Sequence, residues 1–239
     1  PQGVSQFNPL DQACAWHGLL RDEDVRAFHE DGKTMSFVDA VGLIAQRAEE
    51  QGKTLVIRDW AHLDYIAVPF MPVPSNRLGL VDALADGFDI RNVCLVRHPL
   101  DTFLSLRKLA VMSRNIAPDV FLRGTRLFAE QAADIGFVRY EDFTASPDQT
   151  LQRFCEQLDV PFDAGYRCRW WTYRKITGDT SNSRGAIRNT IQPMPRAVFE
   201  PDLLETFRAC EDYWRVLQLL DYEDAEMPVA AEAAGANPT

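Results

Sequence analysis

The stretch VRHPLDTFLS (96–105) carries potential binding chemistry where a strand is expected to become a helix. The apolar run 92–96 predicts a strand, and Pro99 is typical of the first turn of a helix. A helix N-terminus offers free N–H groups and the positive end of a dipole, and both favour anions. Arg97 adds a permanently charged fork that suits a phosphate, and Ser105 adds a hydroxyl. The stretch therefore predicts a phosphate site, and pairing of Arg97 with a carboxylate at the sheet edge is the alternative.

Basic residues are concentrated in two segments of a chain whose formal net charge is −10. Residues 91–126 hold seven basic and two acidic side chains, and residues 166–196 hold seven basic and one acidic. This distribution suggests a compact anionic ligand, whereas the net charge argues against general nucleic-acid binding. For either segment, a solvated basic helix face is the alternative.

The number and spacing of the cysteines and histidines indicate which kinds of site and which compartment to expect. The five cysteines are scattered, form no C-x-x-C pair and are joined by only four histidines. We therefore expect neither a metal site nor a disulfide framework, and a reducing, cytoplasmic compartment fits best. No apolar run approaches the roughly 20 residues of a membrane span, and the first residues do not form a signal peptide.

Helical and strand patterns alternate along the chain. This order predicts an α/β fold with a parallel sheet flanked by helices, in which ligands bind beyond the carboxyl ends of the strands. The length favours a single domain over residues 1–224, followed by a flexible tail over 225–239. The predicted strands are 54–60, 92–97 and 136–143, and the predicted helices are 35–52, 75–88, 99–112, 119–134, 147–160 and 201–220.

Residues 96–105 resemble the segment of sulfotransferases that binds the 3′-phosphate of 3′-phosphoadenosine 5′-phosphosulfate (PAPS). In that family a strand leads to an Arg, a short turn, an Asp and then a Ser eight residues after the Arg. Arg97, Asp101 and Ser105 match this spacing. The resemblance implies that Arg97 and Ser105 contact the 3′-phosphate.

Two later blocks extend the resemblance, which covers about residues 54–215. GFVRYEDFTASPDQTLQRFCEQLDVPFD (136–163) is similar to the family's next block, and Tyr140 stands where the family places an adenine contact. SNSRGAIR (181–188) is similar to the final Arg-Gly loop that closes over the 3′-phosphate. This match implies that Arg184 and Gly185 contact the ligand.

The resemblance implies a P-loop-NTPase-like architecture and a sulfotransferase that needs no metal. Such an enzyme moves a sulfuryl group from PAPS to a hydroxyl or amine of a small-molecule or glycan acceptor and leaves 3′,5′-bisphosphoadenosine. A homodimer is left open. The proline-rich segment VPFMPVPSN (68–76) suggests the wall of a pocket for a lipophilic or aromatic alcohol, or simple packing.

One part of the family pattern has no counterpart in these residues. Sulfotransferases carry an amino-terminal loop, rich in Gly, Ser and Thr, whose backbone N–H groups wrap the 5′-phosphosulfate. The expectation is that this loop and its strand lie upstream of Pro1. The alternatives are an inactive relative that binds the nucleotide and, ranked last, a small-molecule kinase. A kinase would need a P-loop and an acidic pair for Mg²⁺.

The segment TLVIRDWAHLDY (54–65) offers two candidate bases. In the resembling enzymes, the group that deprotonates the acceptor often follows the strand after the acceptor-side helix. Asp59 and His62 fit that place, and an imidazole has the better natural pKa near neutral pH. The alternatives are that Asp59 pairs with Arg58 or caps a turn, and that His62 is an ordinary loop residue.

If His62 is the base, His62→Ala in the full-length protein should lower kcat by about 10²–10⁴-fold with nucleotide affinity nearly unchanged. Steady-state kinetics together with equilibrium nucleotide binding would measure this. Activity that survives in His62→Ala and vanishes in Asp59→Asn would assign the role to Asp59 instead.

Overall fold

Helices dominate the computed structural model, which describes residues 9–30, 35–68, 70–108, 116–172, 190–193, 195–196 and 198–224. No helix of this described part is both long and apolar enough to cross a membrane. The elements are α1 (Pro9–Ala15), α2 (Asp22–Glu30), α3 (Phe37–Glu50), α4 (Ala61–Ile66), α5 (Gly79–Leu84), β1 (Cys94–Val96), α6 (Pro99–Arg107), α7 (Pro118–Ile135), β2 (Phe137–Arg139), α8 (Tyr140–Ala145), α9 (Pro147–Leu158), α10 (Tyr166–Arg169), a 3₁₀ turn (Trp170–Thr172), α11 (Pro201–Arg208) and α12 (Glu211–Leu219).

The two strands of the described chain pair in parallel, and α6 and α7 lie between them in sequence. The register places Cys94 opposite Phe137, Leu95 opposite Val138 and Val96 opposite Arg139. Parallel neighbours require a long crossover connection, which the two helices supply. The helix-rich structure with a small parallel sheet is consistent with the predicted α/β class.

The Gln157 side chain on α9 secures the amino ends of both strands. Its Nε2 donates to the carbonyl of Asn92 at 2.9 Å and to the carbonyl of Ile135 at 3.0 Å. Gly136 has φ +109°, and a Cβ there would lie 2.4 Å from Gln157 Nε2. Glycine is therefore required where the amide approaches the backbone.

The predicted strand 54–60 is wrong, because these residues lie in no helix or strand. Val56 and Ile57 are 62% and 41% exposed. A β-branched run forms a strand only where a neighbouring strand completes its hydrogen-bond ladder, and local propensity alone does not supply that neighbour. The predicted strand 136–143 is also too long, since β2 ends at Arg139 and α8 begins at Tyr140.

The predicted late helix 201–220 is two helices, α11 and α12. Cys210 between them has an extended backbone, with φ −94° and ψ 125°. The Trp214 indole N–H donates to the carbonyl of Arg208 at 2.8 Å and satisfies a terminal acceptor of α11. The start of α3 is as predicted, because the Ser36 hydroxyl accepts the Asp39 N–H at 3.1 Å.

The chain divides into two compact units. The first contains residues 1–59, 80–90 and 165–189, and the second contains residues 60–79, 91–164 and 190–239. The single domain over 1–224 stays a prediction, and the predicted tail 225–239 lies outside the described residues. The first unit has a small core, and the larger core of the second unit is rich in aromatic side chains: Tyr65, Phe103, Phe121, Phe199, Phe207 and Tyr213.

Helices α4 and α7 pack closely against each other at Gly124. A Cβ on Gly124 would lie 2.2 Å from the carbonyl oxygen of Tyr65 and 2.9 Å from its carbonyl carbon. The obstacle is backbone and cannot rotate away. The α4–α7 packing in the second unit therefore depends on the absence of a side chain at this position.

We expect Gly124→Ala to lower the free energy of unfolding. Alanine gains up to about 1 kcal/mol of helix propensity, but overpacking against a rigid carbonyl costs about 1–3 kcal/mol or more. Chemical denaturation would measure the difference. Gly87→Ala is the control, because a Cβ there meets nothing within 4 Å. Equal stability of the two variants would contradict the close packing.

Candidate anion-binding site

Arg97 and Tyr140 lie side by side at the carboxyl ends of the two strands. Each residue follows its strand by one position, after the Val96–Arg139 register pair. The parallel register therefore carries both side chains to the same edge of the sheet. The guanidinium carbon of Arg97 lies 4.7 Å from the centroid of the Tyr140 ring, within the range of a cation–π contact.

The Arg97 guanidinium retains an unused hydrogen-bond donor. Its Nε is buried and has no hydrogen-bond partner among the described residues. No ion pair joins Arg97 to a carboxylate within that part of the chain, so the pairing considered from the sequence is not observed there. An unsatisfied buried donor costs about 1–3 kcal/mol, and more when it is charged. An anionic oxygen at this position would remove that cost.

Helix α6 begins directly after Arg97. His98 is its N-cap, and Pro99 occupies its first turn as predicted. The backbone N–H of His98 donates to Oε1 of Glu141 at 3.0 Å, so a carboxylate of the protein already holds this donor. A second guanidinium reaches the same turn, because Arg196 Nε lies 3.7 Å from Oδ2 of the buried Asp101.

The His98 ring is enclosed, with 1% of the residue exposed. Its Nε2 lies 3.2 Å from the carbonyl oxygen of Glu223, and it meets the rings of Tyr213 and Tyr222 edge-on. Nε2 is therefore the protonated nitrogen, while Nδ1 is buried without a partner among the described residues. Burial and the Arg196 charge lower the pKa of His98, against the opposing influence of the Glu223 carbonyl and two carboxylates, Asp101 and Glu141.

The residues that follow β2 form an interlocked polar cluster. Arg139 binds Asp142 through two hydrogen bonds of 3.1 Å, from Nε and Nη2. The Arg139 Nη1 also donates to the carbonyl of Asp221. Glu141 Oε2 accepts the Tyr222 hydroxyl at 2.7 Å. Burial and the Glu141 carboxylate raise the pKa of Tyr222 well above its usual range, so its hydroxyl remains a donor.

Of the other predicted ligand contacts, Ser105 lies among the described residues. Ser105 is exposed on α6, four residues after Asp101 and so on the same helix face. Its hydroxyl makes no hydrogen bond within the described part of the chain. Arg184 and Gly185 lie outside the described residues. Of the predicted ligand contacts, the structure brings together Arg97 and Tyr140.

The two candidate bases lie in different surroundings. His62 is half-buried on α4, and its ring stacks on Trp60 with 5.6 Å between centroids and 27° between planes. Asp59 is exposed and belongs to the first unit, whereas His62 belongs to the second. In the segment expected to wall an acceptor pocket, Phe70 and Met71 are each 52% exposed.

Glu141, Tyr222 and Arg196 were not among the site residues predicted from the sequence. Glu141 had a usable signal, because it stands next to Tyr140 and follows a parallel strand. Tyr222 is separated from Glu141 by 81 residues, and no local pattern links the two. Arg196 belongs to the second basic segment but follows no predicted strand. Only the tertiary fold brings these two side chains to the start of α6.

Comparison with known proteins supports the fold. No protein-family model matches the chain, and no curated protein matches it. Among solved structures, the chain is similar to a sulfotransferase domain from the curacin biosynthetic pathway, with a TM-score of 0.55 and 17% identity. The similarity covers 92% of this chain and 81% of that domain. At this identity the likeness shows a sulfotransferase-like fold.

The buried His98 should make stability depend on pH. Because the pKa of His98 is lowered in the folded chain, its imidazole binds a proton at a higher pH in the unfolded chain than in the folded chain. The free energy of unfolding should therefore fall as pH drops below about 6.5, the unperturbed value. Denaturation of wild type and His98→Gln between about pH 5 and 7.5 would measure this.

The His98→Gln variant keeps an N–H donor but has no titratable ring. Its stability should change less steeply with pH over that window, while the acidic side chains contribute equally to both proteins. Parallel stability profiles for the two proteins would show that His98 does not cause the dependence.

Proposed function

We propose that the protein is a sulfotransferase that transfers a sulfuryl group from PAPS to a hydroxyl or amine of a small-molecule or glycan acceptor. The observation that carries the proposal is the buried Nε of Arg97, which has no hydrogen-bond partner among the described residues and lies at the carboxyl end of a parallel strand, directly before helix α6. The sulfotransferase-like fold supports it. The proposed architecture is P-loop-NTPase-like. The proposed compartment is the reducing, cytoplasmic one expected from the scattered cysteines of the sequence.

The donor chemistry of the site fits the 3′-phosphate of the nucleotide. Arg97 would donate its Nε–H, which has no partner among the described residues, to a phosphate oxygen, while the Tyr140 ring covers one face of the guanidinium. Ser105 would add its hydroxyl from helix α6, and Arg184 and Gly185 would close the site. Arg196, which pairs with Asp101 in the first turn of α6, adds a second positive charge nearby. These groups would bind the nucleotide without a metal.

The nucleotide and the protein have different roles in the proposed reaction. When bound, PAPS supplies an activated sulfuryl group whose leaving group is 3′,5′-bisphosphoadenosine. The chain must orient the nucleotide, which Arg97 would do from its 3′ side, and remove the acceptor's proton. His62 or Asp59 would be that base. Stacking on Trp60 would help to orient the His62 ring for this step.

Isothermal calorimetry with adenosine 3′,5′-bisphosphate tests the site. Arg97→Ala should weaken binding by about 2–4 kcal/mol, because one partner of a charged, hydrogen-bonded pair is lost. Arg107→Ala is a matched control, since it removes the same charge at the other end of α6. Adenosine 5′-phosphate, which lacks the 3′-phosphate, should bind wild type more weakly.

Unchanged affinity in Arg97→Ala would overturn the site assignment. Specific nucleotide binding without sulfate transfer by the full-length protein would instead identify an inactive relative.

A further inference from the structure

Four consecutive residues near the end of the described chain bind the elements around the anion site. We call residues 221–224 the C-terminal clasp. Each member has a partner: the Asp221 carbonyl accepts from Arg139, the Tyr222 hydroxyl donates to Glu141, the Glu223 carbonyl contacts His98, and the Asp224 carboxylate accepts from Arg208 and Tyr213.

One link of the clasp leads directly to the turn that carries Arg97. Tyr222 donates to Oε2 of Glu141 at 2.7 Å, and Oε1 of the same carboxylate accepts the His98 N–H at 3.0 Å. A carboxylate is rigid and planar, so fixing one oxygen fixes the direction of the other. His98 immediately follows Arg97, and the N–H involved belongs to the peptide bond between them. The Tyr222 hydroxyl therefore restrains the peptide that aims Arg97.

We propose that Glu141 and Tyr222 are positioning residues for the anion site: the Tyr222 hydroxyl holds the Glu141 carboxylate, which holds the peptide after Arg97. This inference rests on the proposed function, because it concerns nucleotide binding at Arg97. Neither side chain is a ligand contact in this account.

Charge and position have opposite consequences at Glu141. As a negative charge near the start of α6, Glu141 repels an anionic ligand. As a hydrogen-bond acceptor, it holds the turn in its binding geometry. A substitution that removes the charge but keeps the shape should therefore maintain or raise the affinity for the nucleotide. A substitution that releases the carboxylate should lower that affinity.

Three substitutions in the full chain separate these effects. Tyr222→Phe removes the hydroxyl that holds Glu141. Glu141→Gln keeps an oxygen for the His98 N–H and an NH₂ group for Tyr222, without the charge. Tyr213→Phe is the matched control, because it removes a hydroxyl that donates to the clasp residue Asp224 at 2.7 Å and leaves Glu141 untouched.

Calorimetry with adenosine 3′,5′-bisphosphate gives the first measurement. Tyr222→Phe should bind about tenfold more weakly than wild type, the scale of one lost hydrogen bond to a charged group. Glu141→Gln should bind at least as tightly as wild type, and Tyr213→Phe should bind equally. Amide exchange gives the second measurement: His98 should lose protection selectively in Tyr222→Phe and keep it in Tyr213→Phe. A general loss of stability would instead affect amides throughout the second unit.

Equal affinity and equal His98 protection in wild type and Tyr222→Phe would overturn the inference while leaving the proposed function intact. Weaker binding by Glu141→Gln than by Tyr222→Phe would also overturn it, because the charge itself would then be required. No binding by wild type would overturn the proposed function and this inference together.

Discussion

The described part of the site depends on the two hydrogen bonds of the Glu141 carboxylate. Its two oxygens join the start of α6, the start of α8 and the chain after α12, through the His98 N–H and the Tyr222 hydroxyl. These segments are far apart in sequence, so each gains a fixed position from a single half-buried group. A carboxylate suits this task because both oxygens accept strongly and neither can rotate independently.

The distribution of charge around α6 explains how an acidic chain presents a cationic position. Asp101 is paired with Arg196, and both oxygens of Glu141 are engaged by donors. Arg97 differs from Arg196 because, within the described part of the chain, a ring covers one face of its guanidinium and no carboxylate faces its Nε. The positive charge that remains available is therefore local. The net charge of the chain does not reveal it.

Local patterns in the sequence predict the junctions of this fold better than its distant contacts. The apolar run before Arg97 and the proline after it predict the strand-to-helix junction that the structure has there. Tyr140 is singled out only by the family resemblance and falls inside the predicted strand 136–143, whereas it begins α8. The segment 54–60 has strand-like residues but no ladder in the structure, and a neighbouring strand is a tertiary property. At the division between α11 and α12, the Trp214 side chain on α12 donates to the terminal carbonyl of Arg208 on α11, a contact between two helices that the sequence pattern merged into one. The Tyr222–Glu141 bond spans 81 residues and leaves no local trace.

Gln157 has a further consequence for the geometry of the two strand ends. Its amide bonds the Asn92 and Ile135 carbonyls, so the alignment of β1 with β2 is specified from α9 as well as by their own ladder. Slipping one strand by a single residue would displace a carbonyl by about 3.3 Å and turn alternate side chains to the opposite face. Arg97 would then no longer face the Tyr140 ring. The neutral Gln157 side chain, at the opposite end of the strands, thus helps to set the position of the Arg97 guanidinium.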